Sequence, residues 1–191
     1  MAILNNKNII ITGALGLIGK KISQSLALSG AKVIMLDLKS NKEFKSIKEF
    51  EKIKDQILYI KCDVTNEKSI KKANKIILKK YKKIDVLING AAVTDAVEKK
   101  PNPKSSMFEN YPLNKWNESL KGNLSSIFLC CQIFGKSMIK FKKGSIINIA
   151  STYGVVAPDQ TLYIDKNSKN NFFKNPAYST TKGAVISFTK Y

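Results

Sequence analysis

Five short apolar runs, each bounded by turn-forming residues, alternate with longer amphipathic stretches, and this alternation restricts the fold more than any other feature of the chain. The runs cover residues 8–12, 32–37, 57–62, 84–89 and 145–150. They are short enough for strands and too short for helices. Helical spacing of apolar residues fills 17–29, 43–54, 67–81 and 113–140, and a last helix is expected from 177 toward 191. Strands that alternate with helices form parallel sheets, because each crossover must carry the chain back to the same end. Right-handed crossovers then put helices on both faces, a doubly wound α/β arrangement whose ligand crevice lies beyond the carboxyl ends of the strands. Residues 96–111 and 153–175, rich in Pro, Asn, Ser and Lys, are expected as loops over that edge.

At 191 residues, without a linker or low-complexity tract, residues 1–191 are expected as one domain. The net charge of +19 raises the question of a nucleic-acid partner. Every cation is Lys, spread over predicted helix faces such as Lys68, Lys71, Lys72, Lys75 and Lys79, and the guanidinium fork that reads bases and phosphates is missing. A solvated lysine-rich surface is therefore expected, with no nucleic-acid partner. With no His in the chain, Ser-His-Asp triads, Cys-His nucleophiles and ordinary zinc sites are excluded, and no metal site is expected. Cys62, Cys130 and Cys131 form no C-x-x-C pair and are expected to pack in the core, as suits a reducing compartment. No apolar run is long enough to cross a bilayer, so no membrane partner and a cytoplasmic location are expected.

The segment Thr12-Gly13-Ala14-Leu15-Gly16-Leu17-Ile18-Gly19 leaves the first predicted strand and opens the first predicted helix. Glycines there let the backbone approach a pyrophosphate, whose charge is favoured at a helix N-terminus by unpaired N–H groups and the helix dipole. Glycines alone are a weak signal. Asp37 strengthens it, because it ends the second strand close to the roughly 20-residue offset at which an acidic side chain meets the ribose hydroxyls of adenosine. A carboxylate there repels a 2′-phosphate, and Ala14 and Leu15 supply no cation to hold one, so NAD is favoured over NADP. Lys39, two residues beyond the acid, keeps NADP as the second choice. Together these features specify a Rossmann-type domain.

Five further elements make the chain resemble the classical short-chain dehydrogenase/reductase family over nearly its whole length. Cys62-Asp63-Val64 matches an Asp-Val element after the third strand, and Asn89-Gly90-Ala91-Ala92 is similar to the family's Asn-Asn-Ala-Gly loop. Asn123 falls where family members carry a helix-kinking asparagine, and Ser151 where they carry a serine at the end of the fifth strand. Tyr178-Ser179-Thr180-Thr181-Lys182 is the Tyr-x-x-x-Lys signature. Residues four apart share a helix face, so an ammonium can stand beside a phenol and favour its ionised form.

The resemblance implies an NAD-dependent oxidoreductase that interconverts a secondary alcohol and a ketone. It gives Tyr178 the acid–base role, Lys182 the support of the phenolate and the nicotinamide ribose, Ser151 the substrate oxygen, and Asn123 a water in the proton relay. It places Gly13, Leu15, Gly16, Leu17, Ile18, Asp37, Asp63, Val64, Asn89 and Ala91 around the cofactor, together with Tyr178 and Lys182. A homodimer or homotetramer of the complete protein is also implied.

The sequence departs from the family pattern in three places. The glycines read Gly-x-x-Gly-x-x-Gly, as in the extended, epimerase-like branch. Ser151 and Tyr178 lie further apart than usual, with residues 157–163 as an insertion expected to help form the substrate mouth. Its wording is similar to members acting on sugar acids or in flagellin and surface-carbohydrate modification, so a small carbohydrate-like substrate is expected. Finally, the chain ends at Tyr191 within the predicted helix, where family members continue through further strands. The expected fold therefore lacks the last strands, and the alternative is a non-catalytic dinucleotide-binding protein or an inactive fragment of such an enzyme.

Overall fold

The structure is a computed structural model that describes residues 3–93, 103–163 and 173–191. Two compact units divide the chain, the first formed by residues 1–91 with 126–149 and the second by 92–125 with 150–191.

The first unit holds a parallel sheet of β1 (Asn8–Thr12), β2 (Lys32–Asp37), β3 (Ile57–Lys61), β4 (Val86–Asn89) and β5 (Ser145–Asn148). Its order is β3-β2-β1-β4-β5. All five residues of β1 are buried, the pattern of a central strand covered on both faces. Alternate side chains go to opposite sides. Ile10, Ile34, Leu36 and Leu87 pack with Ile70, Ala73 and Ile77 of α3 (Glu67–Tyr81) and with Cys130, Ile133 and Phe134 of α6 (Ser126–Lys140). Ile9, Ile11, Val33, Met35 and Ile88 pack with Ala27 of α1 (Leu17–Leu28) and with Phe50 and Ile53. Burying each large side chain of this kind is worth about 1.5–3 kcal/mol, so the two-residue period of the strands holds both helical layers. Helices cover both faces of a parallel sheet, the doubly wound Rossmann-type arrangement expected. Strands are added outward from β1 to β3 on one side and from β4 to β5 on the other, so the order of winding reverses between β1 and β4 and the carboxyl ends of these two strands form the switch point. Among the described residues β5 pairs only with β4, and Ile146 and Ile147 remain 39% and 45% exposed.

Several expected boundaries need correction. Strand β4 starts at Val86 rather than residue 84, β3 stops at Lys61, and β5 stops at Asn148. The helix expected over 43–54 is instead α2 (Asn41–Lys45) followed by a 3₁₀ helix (Lys48–Gln56). Ser40 starts α2 early through a reciprocal capping box with Glu43. Ile47 then turns extended. The apolar residues Phe44, Ile47, Phe50 and Ile53 recur every third position, which aligns on a three-residue turn rather than on an α-helix.

The second unit contains α4 (Pro103–Ser106), α5 (Leu113–Leu120) and α7 (Pro176–Lys190), with 3₁₀ turns at Phe108–Asn110, Thr152–Gly154 and Gln160–Tyr163. Helix α5 packs on α7. The stretch 113–140, expected as one helix, consists of α5, a π-helical turn (Lys121–Ser125) and α6. The segments expected as loops, 96–111 and 153–175, contain the short helical pieces just named, while residues 94–102 and 164–172 lie outside the described residues. No helix among the described residues is long and apolar enough to cross a membrane.

Candidate active site

In the first unit, the glycine segment turns the chain from β1 into α1. Gly13 has φ +67°, and a Cβ on it would lie 2.8 Å from the Ala91 Cα. Only glycine meets both demands, so Gly13 and Ala91 touch backbone to backbone at the switch point. A Cβ on Gly19 would lie 2.2 Å from the Gly13 carbonyl oxygen, which explains the third glycine by close helix packing. Gly16 is the N-cap of α1, with no side-chain cap and no acidic residue in the first turn. The first-turn N–H groups of a helix have no intrahelical acceptor, so this end suits an anion. Leu17 and Ile18 are 84% and 64% exposed on that first turn, whereas the Leu15 side chain is buried in the core.

The Asp37 carboxylate accepts from the Leu15 N–H at 2.8 Å and from the Lys39 N–H at 3.2 Å. The acid at the end of β2 is thereby locked to the glycine turn. Thr12, 2% exposed, holds the other side: its hydroxyl oxygen accepts from the Gly90 and Ala91 N–H groups, both at 3.1 Å. Asn89 is buried and donates to the Asn148 side-chain oxygen at 2.8 Å and to the Cys131 sulfur at 3.4 Å, joining β4, β5 and α6. The Asp63 carboxylate accepts from the Thr65 N–H and hydroxyl at 2.8 and 2.7 Å, fixing the turn after β3, and Val64 is buried beside it. Burial holds the thiols of Cys62 and Cys131 above their ordinary pKa, as expected of packing rather than reactive cysteines.

In the second unit, Asn175 caps α7 by accepting from the Tyr178 N–H at 2.8 Å, and Pro176 follows it in the first helical turn. This cap fixes where the helix begins. One turn on, the Lys182 ammonium stands 5.8 Å from the centre of the Tyr178 ring. Lys182 is only 3% exposed, and burial pushes its pKa below the ordinary lysine value. The structure thus brings this expected pair together and removes most water from the cation.

Asn123 sits in the π-helical turn and is fully buried. Its Oδ1 accepts from the Val93 N–H at 2.6 Å, and its Nδ2 donates to the Val93 carbonyl at 3.0 Å and to Thr181 Oγ1 at 3.3 Å. Thr181 in turn donates to the Tyr178 carbonyl at 2.8 Å, so the asparagine is tied to the helix between Tyr178 and Lys182. A π turn inside a helix often marks a functional position, and here it aims a polar side chain into the packing of α7. Ser151, half-buried, caps the turn Thr152–Gly154 by accepting from the Tyr153 N–H at 3.2 Å.

Residues 7–163 match the family described as short chain dehydrogenase. The chain belongs to the short-chain dehydrogenase family. An NAD-dependent glycerol dehydrogenase of Listeria innocua is 31% identical over 98% of this chain. A D-threitol dehydrogenase of Mycolicibacterium smegmatis is 30% identical over 98% of it. This chain spans 63% of the length of each of these relatives. A crystal structure of a short chain dehydrogenase from Leptospira borgpetersenii with bound NAD+ superposes with a TM-score of 0.78 at 29% identity, covering 98% of this chain and 65% of that one.

Some residues that organise this short-chain dehydrogenase were not singled out from the sequence. Thr12, Val93, Asn175 and Thr181 each hold an expected site residue in place through a hydrogen bond. Of these only Asn175 carries a local signal, an Asn directly before a Pro that opens a helix.

Proposed function

We propose that the chain is the nucleotide-binding and proton-transferring part of an NAD-dependent oxidoreductase that interconverts a secondary alcohol and a ketone on a small polyol or carbohydrate-like substrate. The observation that carries this reading is the buried Lys182 ammonium beside the Tyr178 ring. A cation held beside a phenol stabilises the negative charge that develops on its oxygen as a proton is transferred. Tyr178 then takes the hydroxyl proton of an alcohol, or returns one to a ketone. Asn123 keeps the helix that carries this pair in register, and Ser151 orients the substrate oxygen.

The residues present also fit a dinucleotide. The uncapped, acid-free first turn of α1 suits the diphosphate, with the exposed Leu17 and Ile18 beside it, and Asp37 suits the ribose hydroxyls. Asp63, Val64, Asn89 and Ala91 shape the loops after β3 and β4 where the adenosine and its ribose would lie. NAD, when bound, supplies the hydride acceptor. Asp37 favours it over NADP, since its carboxylate opposes a 2′-phosphate. The polyol class is supported by the similarity to a glycerol and a threitol dehydrogenase.

The test is turnover, followed by nicotinamide absorbance with glycerol, tetritols, sugars and sugar acids, alongside calorimetry of NAD binding. Oxidation of at least one polyol is expected, and Tyr178→Phe should lower turnover by about 10²–10⁴-fold while still binding NAD. Full activity in that variant would remove Tyr178 as the base. NAD binding without turnover on any of these compounds would replace this reading with a non-catalytic dinucleotide-binding protein.

A further inference from the structure

Gly154 lies where the turn after Ser151 meets the helix that carries Tyr178 and Lys182. It closes the 3₁₀ turn Thr152–Gly154, and its N–H donates to the Ser151 carbonyl at 2.9 Å. The Ser151 hydroxyl accepts from the Tyr153 N–H in the same turn, so the segment from Ser151 to Gly154 is tied to itself by two hydrogen bonds. A Cβ on Gly154 would lie 2.6 Å from the Lys182 carbonyl carbon, 2.7 Å from its oxygen and 2.9 Å from the Gly183 nitrogen. All three are backbone atoms of α7, so no side-chain rotation can relieve the contact. From the other side, a Cβ on Gly183 would approach the Gly154 carbonyl oxygen at 3.2 Å. Two glycines therefore face each other where turn and helix touch, and the contact falls on the peptide that follows Lys182.

We propose that Gly154 is a positioning residue that sets the separation between the Ser151 hydroxyl and the Tyr178–Lys182 pair. The inference rests on the oxidoreductase reading above. Neither surface can yield locally, since one is a hydrogen-bonded helix backbone and the other a closed turn. A methyl group at residue 154 must therefore push the whole Ser151 turn away from α7. A displacement on the order of 1 Å between groups that act on one substrate oxygen lowers turnover by about 10²-fold, without any loss of the groups themselves. At Gly183 the same methyl group meets a single oxygen at a longer distance, so its effect is smaller.

The experiment compares the parent chain with Gly154→Ala and Gly183→Ala, measuring kcat and KM for the best polyol, the dissociation constant for NAD, and crystal structures. For Gly154→Ala, kcat should fall about 100-fold while KM and the NAD dissociation constant stay within about threefold, the signature of an interaction lost only in the transition state. For Gly183→Ala, kcat should fall by a smaller but measurable factor, about three- to tenfold. A Gly154→Ala enzyme with parental kcat would overturn the proposal, as would one in which NAD binding weakens in step with turnover. Should Gly154→Ala fail to fold, an unchanged kcat in Gly183→Ala would overturn it. Should the parent itself turn over no polyol, the functional reading fails separately. The proposal is then decided by the crystal structures, where an unchanged distance from Ser151 to Lys182 in the substituted protein would overturn it.

Discussion

Replacing Asn123 by Ala removes a fully buried side chain that serves two segments through three hydrogen bonds, to the Val93 N–H, the Val93 carbonyl and Thr181 Oγ1. A net hydrogen bond is worth about 0.5–1.5 kcal/mol, and a buried group left without its partner costs about 1–3 kcal/mol. These values do not apply equally to the three. Val93 is 44% exposed, so water can replace the asparagine at its peptide groups. Thr181 keeps its bond to the Tyr178 carbonyl and loses only a donor. The emptied, fully buried site in the π-helical turn dominates, the short 2.6 Å bond to the Val93 N–H adds what water does not restore, and a loss of about 2–3 kcal/mol is expected. For a chain of this size that lowers the melting temperature by about 4–12 °C. Thermal and urea unfolding followed by circular dichroism measure the change, with Asn123→Asp as a control that keeps one acceptor but supplies no donor. A loss below about 0.5 kcal/mol, the level of an ordinary surface substitution, would refute the reasoning that Asn123 holds Val93 to α7.

Three other substitutions test separate parts of the structure. Gly13→Ala forces a left-handed backbone on alanine and a methyl group within 2.8 Å of the Ala91 Cα, so stability should fall by about 2 kcal/mol or more and NAD binding should weaken with it; an unchanged melting temperature contradicts the contact. Asp37→Ala frees the Leu15 N–H and removes a charged acceptor, a loss of about 1.5–3 kcal/mol, so NAD affinity measured by calorimetry should drop about 10–100-fold while NADP affinity drops less; equal losses for both would remove Asp37 from cofactor choice. Lys182→Met tests the buried cation through pH. Because burial lowers the Lys182 pKa in the folded state, the unfolded chain holds that proton up to its ordinary value of about 10.4, and folding releases it. The parent should therefore gain stability relative to Lys182→Met as pH rises through this window, and a flat or falling difference in urea unfolding between pH 7 and pH 10 would contradict the burial.

The strands show how far local pattern reaches. Strands β1 and β2 have the boundaries expected from the sequence, because their apolar runs are flanked by clear turn residues and both faces are covered. The ends of β3, β4 and β5 depend on where neighbouring strands stop pairing, and that is a property of the sheet rather than of the segment. The stretch 43–54 departs from the single helix expected for a related reason. Its apolar residues satisfy a helical period loosely, and only their packing beside Tyr59 and Ala27 selects the three-residue turn.

At the candidate site the same division holds. The amino-acid order alone determines that a glycine turn leads from strand into helix, that an acid ends β2, and that a tyrosine and a lysine share one face of α7, because each of these depends on spacing along a few residues. Tertiary structure decides the rest. That Lys182 is stripped of water, that Asn123 spans from a π turn to Val93 and Thr181, that Thr12 gathers the amides of the β4 loop, and that Gly154 abuts the backbone of Lys182 all join residues distant in sequence. Such contacts form only when folding brings separate segments within a few ångströms, and a hydrogen bond or a missing methyl group carries no trace of its partner in the residues on either side of it.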